Sequence, residues 1–303
     1  LKLKNTPKQF VCIFFVTVLF SSSVFSQQNI ESKDTYTIYK NLKFIETKDD
    51  PLSLDLFIPN KIPKNVPCIV VIQGGGFKSQ DGQRFRYVAE YIAENHYAAA
   101  LISYRGRPEY TYETTIEDVK SAVCFIRSVS NKYAINPDKI GATGRSAGGT
   151  LAALLAVTGN LSYEKKSDCD STSILAAVAF AGVFDFVSRF TDSAQIDLQP
   201  NINSKIASNS EWIGSHFSEQ NQSWEKVSAI NYVDKNDPPI LFMHCKDDQV
   251  VPWIQSQDMF DKMNDVGINS EVLYFEKGGH GFLIGENEDY LRPMISFFKK
   301  QFE

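Results

Sequence analysis

"KIGATGRSAGGT", Lys139–Thr150, sets four glycines and one serine between the apolar end of one run and the start of another, "TLAALLAV". The first run reads as a buried strand and the second as a helix, so the glycines fall where a strand turns abruptly into a helix. In that setting Gly144-Arg145-Ser146-Ala147-Gly148 is Gly-x-Ser-x-Gly, the pattern in which a serine occupies a strained turn and lifts its hydroxyl clear of a sheet. Side chains at the flanking glycines would meet the neighbouring strand or helix. A tight strand-helix turn or a phosphate loop would also use glycine, but neither Gly-x-x-x-x-Gly-Lys-Ser/Thr nor Gly-x-Gly-x-x-Gly occurs in the chain.

The same alternation extends both ways from this turn. Upstream, "PCIVVIQ" reads as a strand, "RFRYVAEYIAENH" as a helix, "YAAALISY" as a strand and "TIEDVKSAVCFIRSVSNKY" as a helix. Downstream, "ILAAVAFAG", "PPILFMH" and "EVLYFEK" are strands, with helices in "PWIQSQDMFDKMNDVG" and "NEDYLRPMISFFKKQF". Alternating strands and helices predict an α/β fold: a mostly parallel sheet covered on both faces. Ahead of it, after a polar leader to about Lys33, "YTIYKNLKFIET" and "LSLDLFIP" predict an antiparallel start around "KDDP". The segment from Val183 to Val233 breaks the rhythm with Ser, Asn and Gln around several aromatics, and is expected to be an insertion resembling a lid over the end of the sheet.

A serine hydroxyl needs a base, and the base an orienting carboxylate. Of four histidines, His96 ends a helix before the serine, His216 lies in the insertion and His244 closes a buried strand. His280, in "EKGGHGFL" after the last strand, is left as the base, with glycines around it that let a loop carry a side chain over the sheet. The acid belongs between serine and histidine in chain order. "HCKDDQVVP" offers Asp247 and Asp248, and Asp185 in "AGVFDF" is a weaker candidate. The backbone N–H of Ala147, after the serine, suits an oxyanion hole. A second donor is expected at Gly75 or Gly76 in "VVIQGGGFKS", where consecutive glycines let backbone approach a ligand. Trp253, Trp212 and Trp224 are candidates to line a sugar or acyl pocket.

The chain's 303 residues, 43% hydrophobic and 22% charged, suffice for one large core, and a net charge of −5 supplies no basic field for nucleic acid. Lys2, Lys4 and Lys8 precede "FVCIFFVTVLF", and small residues follow to Ser26. This is the pattern of a secretory signal peptide over residues 1–26, with an apolar run too short to span a membrane. Residues 27–303 would then form one catalytic domain, secreted or periplasmic. Cys68, Cys124 and Cys245 lie in apolar stretches and are expected as buried thiols. Cys169 lies in polar sequence, and the spacings assign it no partner.

From Leu42 to Phe302 the chain resembles the α/β-hydrolases. The likeness is to secreted carboxylesterases grouped with feruloyl and acetylxylan esterases, and more distantly to the hormone-sensitive-lipase group. The resemblance rests on "QGGGF", "SYR", "EDVKSAV", "NPDKIGATGRSAGG", "DPPILFMHCKDDQVVP" and "GGHGF". It implies the α/β-hydrolase fold and aligns the family acid with Asp248, giving Ser146, Asp248 and His280. It also implies that no metal or organic cofactor is needed. Two positions depart from the family: Gln73 stands where His opens the His-Gly-Gly-Gly loop, and Cys245 replaces a glycine beside the acid. The function implied is deacylation of acetyl or feruloyl esters on polysaccharide through an acyl-enzyme. A serine peptidase of the prolyl-oligopeptidase type, or a non-catalytic binding protein on the same fold, are the alternatives.

Overall fold

A computed structural model of the chain describes residues 29–46, 51–61, 65–159, 161, 169, 171–218, 220, 222–281 and 288–303. The expected signal peptide lies outside the described residues. Among those described, no helix is long and apolar enough to cross a membrane.

Strands β1 (Asn29–Ser32), β2 (Tyr36–Ile45), β3 (Leu52–Pro59) and β4 (Val66–Ile72) open the fold, followed by α1 (Arg86–Glu94), β5 (Ala98–Ile102) and α2 (Tyr112–Ser128). The central unit is β6 (Ile135–Arg145) running into α3 (Ala147–Thr158), then β7 (Ala176–Phe180). Helices α4 (Ser188–Thr191), α5 (Ser193–Asp197), α6 (Ile202–Ile213) and α7 (Gln222–Lys226) precede β8 (Ile240–Cys245), α8 (Ile254–Asp265), β9 (Glu271–Phe275) and α9 (Glu288–Phe302). The nine strands form one sheet in the order β1-β2-β3-β5-β4-β6-β7-β8-β9, antiparallel from β1 through the β3–β5 pair and parallel from β5 to β9. The polar leader therefore ends in a strand that the sequence reading did not assign. Four residues at the sheet edge need backbone pairing with β2 but no apolar pattern.

Strands β4, β5 and β7 read as continuous apolar runs because both of their faces are covered. In β4, Cys68, Val70 and Ile72 face the layer of α2, α3 and α8, while Ile69 and Val71 face the layer of α1 and α9. Helix α3 is buried on every side, as an apolar helix threading the core must be. From β4 the chain steps outward to β5 and then back across to β6. The loops leaving the carboxyl ends of β4 and β6 thus flank a crevice where the winding direction reverses, the place where open α/β sheets bind ligands.

The 183–233 segment packs more deeply than a lid made only of surface residues would. Phe184, Phe186, Trp212 and Trp224 have essentially no solvent exposure. Trp212 stacks on Phe77 at 3.8 Å and donates from Nε1 to Thr115 Oγ1 at 3.0 Å. Trp224 donates to the Ser215 carbonyl at 3.2 Å and meets Phe217 edge-on. This corrects the expectation that Trp212 and Trp224 line a pocket: their large apolar rings fill the core, and each indole N–H is satisfied there. Trp253 is half-buried and edge-on to Tyr274 at 5.3 Å.

Cys124 is likewise not a free thiol. It forms a disulfide with Cys169, with Cα atoms 5.5 Å apart and a sequence separation of 45. It lies at the half-buried edge of α2, and one turn on Arg127 donates to the carbonyls of Ser171 and Ser173, fastening the same stretch. A closed loop of this length stabilises chiefly by restricting the unfolded chain, by about 4 kcal/mol. Replacing both cysteines by alanine is expected to lower the unfolding free energy by about 2–4 kcal/mol, read from denaturant midpoints at unchanged slope. Cys68 and Cys245 are buried thiols, and burial pushes Cys245 up to about 12, so neither is a ready nucleophile.

Candidate active site

The turn between β6 and α3 requires its glycines. A Cβ at Gly144 would lie 2.4 Å from the Gly148 carbonyl oxygen, and one at Gly148 would lie 2.1 Å from that of Ile72. Between them Ser146 has φ 57° and ψ −123°, a conformation that costs a non-glycine residue about 1–3 kcal/mol and persists only when its surroundings enforce it. Its N–H donates to the Phe180 carbonyl at 2.7 Å, which ties the bend to β7. The serine does not cap α3 with its side chain. Its Oγ lies 2.8 Å from His280 Nε2, and His280 Nδ1 lies 2.7 Å from Asp248 Oδ2.

The proton positions in this chain follow from the acid. A carboxylate only accepts, so Nδ1 carries the hydrogen and Nε2 presents its lone pair to the serine hydroxyl. Asp248 is 1% exposed. Its Oδ1 accepts from the N–H groups of Val250 and Val251 at 2.8 and 3.0 Å. Burial alone would raise this carboxyl, but hydrogen bonds from His244 and His280 outweigh it and hold the group below the usual carboxylate range. His244 is the member of the site that the sequence reading passed over. Its Nε2 lies 3.0 Å from the Val251 carbonyl and 3.3 Å from Asp248 Oδ2, and Ser256 Oγ lies 2.8 Å from Nδ1. With two acceptors facing Nε2, that nitrogen bears the proton and Ser256 donates to Nδ1. The clue available in sequence was its place at the head of "HCKDDQVVP".

Of the carboxylates considered, Asp248 meets the imidazole and the other two do not. Asp185 Oδ1 accepts from the N–H groups of Val187 and Ser188, turning the chain into α4. Asp247 accepts from backbone N–H groups of the His280 loop. His96 and His216 are exposed, and neither takes part in the Ser146–His280–Asp248 hydrogen bonds.

The loop after β4 lies against the turn: a Cβ at Gly74 would stand 2.1 Å from the Arg145 carbonyl oxygen and 3.2 Å from Ser146 Cβ. Its carbonyls are all engaged. Gly74 accepts from Arg84 Nη2 at 3.1 Å, Gly75 from the Lys78 N–H at 3.3 Å, and Gly76 from Arg107 Nε at 2.7 Å. Because a trans peptide directs its C=O and N–H oppositely, these anchors also fix where the N–H groups of Gly75 and Gly76 point. Gln73 fills the place of the family histidine with hydrogen bonds alone: Oε1 accepts from the Arg84 N–H at 2.8 Å, and Nε2 donates to Gln80 Oε1. The 183–233 segment braces both site loops, since Glu211 pairs with Arg107, Arg189 donates to the Val250 carbonyl at 2.7 Å and Lys205 to that of Gln249 at 2.6 Å. Among the described residues, no group of three His, Cys, Asp or Glu could hold a metal ion.

The arrangement can move a proton from a serine oxygen onto an imidazole backed by a buried carboxylate, beside a loop with fixed N–H directions. Proteins of similar sequence carry names of matching chemistry. The chain is 28% identical over 213 residues to the probable carboxylic ester hydrolase LipM of Mycobacterium tuberculosis (strain ATCC 25618 / H37Rv), covering 69% of this chain and 47% of the relative. It is 27% identical over 243 residues to the esterase LipC of the same organism, covering 77% and 58%. The chain thus spans about half the length of the curated relatives it matches. Among solved structures, a truncated form of a carbohydrate esterase from gut microbiota superposes with a TM-score of 0.76 at 26% identity, over 89% of this chain and 98% of that one. The likeness supports the α/β-hydrolase architecture, and since the BD-FAE family model matches residues 54–263, more than half of the chain, the chain belongs to the BD-FAE family.

Proposed function

We propose that the protein is an exported serine carboxylesterase that removes small acyl groups, acetyl or feruloyl, from polysaccharide. The observation that carries this reading is the unbroken relay from Ser146 Oγ through both nitrogens of His280 to Asp248. Ser146 attacks the ester carbonyl as His280 Nε2 takes its proton. The negative charge developing on the carbonyl oxygen is met by the N–H groups of Ala147 and of Gly75 or Gly76. His280 then returns the proton to the departing alcohol and activates a water that releases the acid. Asp248 keeps Nδ1 protonated and stabilises the imidazolium.

The carbohydrate assignment is supported by the carbohydrate esterase that this chain resembles over 98% of that chain's length. Export is supported by the lysine-led apolar segment at the start of the chain and by the Cys124–Cys169 disulfide, a bond that persists in oxidising compartments. Assay of the purified protein on a chromogenic acetyl ester, on acetylated and feruloylated xylan and on a proline-containing peptide tests the reading. Acyl release from the ester and from at least one xylan, with the peptide intact, is expected. Peptide cleavage without ester turnover would assign a peptidase, and silence on every substrate would point to a binding protein.

A further inference from the structure

The last rungs between the ends of β8 and β9 form a zipper. The Lys246 N–H donates to the Phe275 carbonyl at 2.8 Å, and beyond it the two adjacent aspartates divide the loop between them. Asp248 takes the imidazole. Asp247 turns the other way: Oδ1 accepts from the Gly279 N–H at 2.7 Å and Oδ2 from the Gly278 N–H at 3.3 Å. Gly278 and Gly279 have φ of 139° and 55°, and this glycine backbone lets two successive N–H groups converge on one carboxylate. On the other side, Arg145, the variable residue of Gly-x-Ser-x-Gly, lies over the Phe85 ring and donates from Nη1 to the carbonyl of His280 itself. The backbone entering His280 is thus held from the acid loop and the backbone leaving it from the nucleophile's own turn.

We propose that Asp247 and Arg145 are positioning residues that brace the His280 loop from its two ends, so that the imidazole stays in register with Ser146 and Asp248. The catalytic consequence rests on the ester-hydrolase reading; the geometric one does not. Both can be read on the full protein: kcat and KM on a chromogenic acetyl ester, and the low-field NMR signal of His280 Nδ1–H, which reports imidazole placement whether or not any ester is cleaved. Asp247→Ala is expected to broaden or shift that signal and to lower kcat about tenfold or more while KM changes by less than about twofold, because sub-ångström misplacement of a base slows the chemistry more than it weakens binding. Asp247→Asn, whose carboxamide oxygen still accepts from Gly279, is expected to keep a sharp signal and most of kcat. Arg145→Met is expected to act in the same direction as Asp247→Ala. If the alanine variant fails to fold, the asparagine variant decides: retention of signal and rate supports the brace, and losing both overturns it. An alanine variant matching the wild type in signal and kcat overturns it too. An inactive wild type with the expected signal changes would instead refute ester hydrolysis and leave the brace standing.

Discussion

Ser146→Ala is expected to abolish ester turnover, by on the order of 10⁶-fold in kcat, the scale on which losing the nucleophile of a serine–histidine–aspartate site acts. The change removes one oxygen, the atom 2.8 Å from His280 Nε2. It leaves the turn intact, because alanine meets the same backbone restriction at φ 57° as serine and keeps the N–H bond to Phe180. The thermal midpoint is therefore expected to stay close to that of the wild type. Covalent labelling by a fluorophosphonate should vanish together with turnover. A variant retaining more than trace activity on the acetyl ester would place the nucleophile elsewhere. Parallel loss of activity and folding would show that the hydroxyl holds the turn together.

The Ser146 turn was legible because two demands coincide there. A strand must become a helix within one residue, and glycine must flank the serine because carbonyls of β4 and of α3 stand within 2.1–2.4 Å of where side chains would begin. Strands β4, β5 and β7 were legible for a related reason, since burial on both faces leaves them runs of apolar side chains. What was not legible depended on partners far along the chain. An apolar helix position such as Cys124 looks the same whether its thiol is buried or bonded to a residue 45 positions away. Trp212 and Trp224 look alike as pocket lining or as core, and the packing of the 183–233 segment made them core. The two neighbouring aspartates posed the hardest case. Chain order leaves both open and the family resemblance alone points to Asp248; the position of the His280 loop shows that one carboxylate meets a ring and the other a backbone. Arg145 carries no signal at all, because its partner is a main-chain oxygen 135 residues on.

Asp248→Asn is expected to lower kcat on the order of 10⁴-fold, and the surrounding hydrogen bonds show why. Val250 and Val251 donate N–H groups to Oδ1, so the carboxamide oxygen settles there and the NH₂ group takes the place of Oδ2. A donor then faces His280 Nδ1, forcing its hydrogen onto Nε2, the nitrogen that must accept the serine proton. The same NH₂ group would oppose the Nε2–H of His244, 3.3 Å from Oδ2 in the native site, so a loss of stability should accompany the loss of rate. Asp247→Asn keeps an acceptor toward Gly279 and should cost less than about tenfold; the reverse ranking would mean that Asp247 is the acid. The acid dependence of stability follows from the depressed ionisation of Asp248, which hydrogen bonds from His244 and His280 impose against the opposing effect of burial. A group whose folded-state pKa lies below its unfolded value stabilises the fold above the unfolded value, about 3.9 for aspartate, and loses that contribution as pH falls toward the folded one. Asp248 therefore remains a carboxylate through mildly acidic solution, and its share of stability drains away only below about pH 4. In Asp248→Asn that segment of the acid-unfolding curve should flatten; an unchanged slope would mean that the carboxylate is not held by its two histidines.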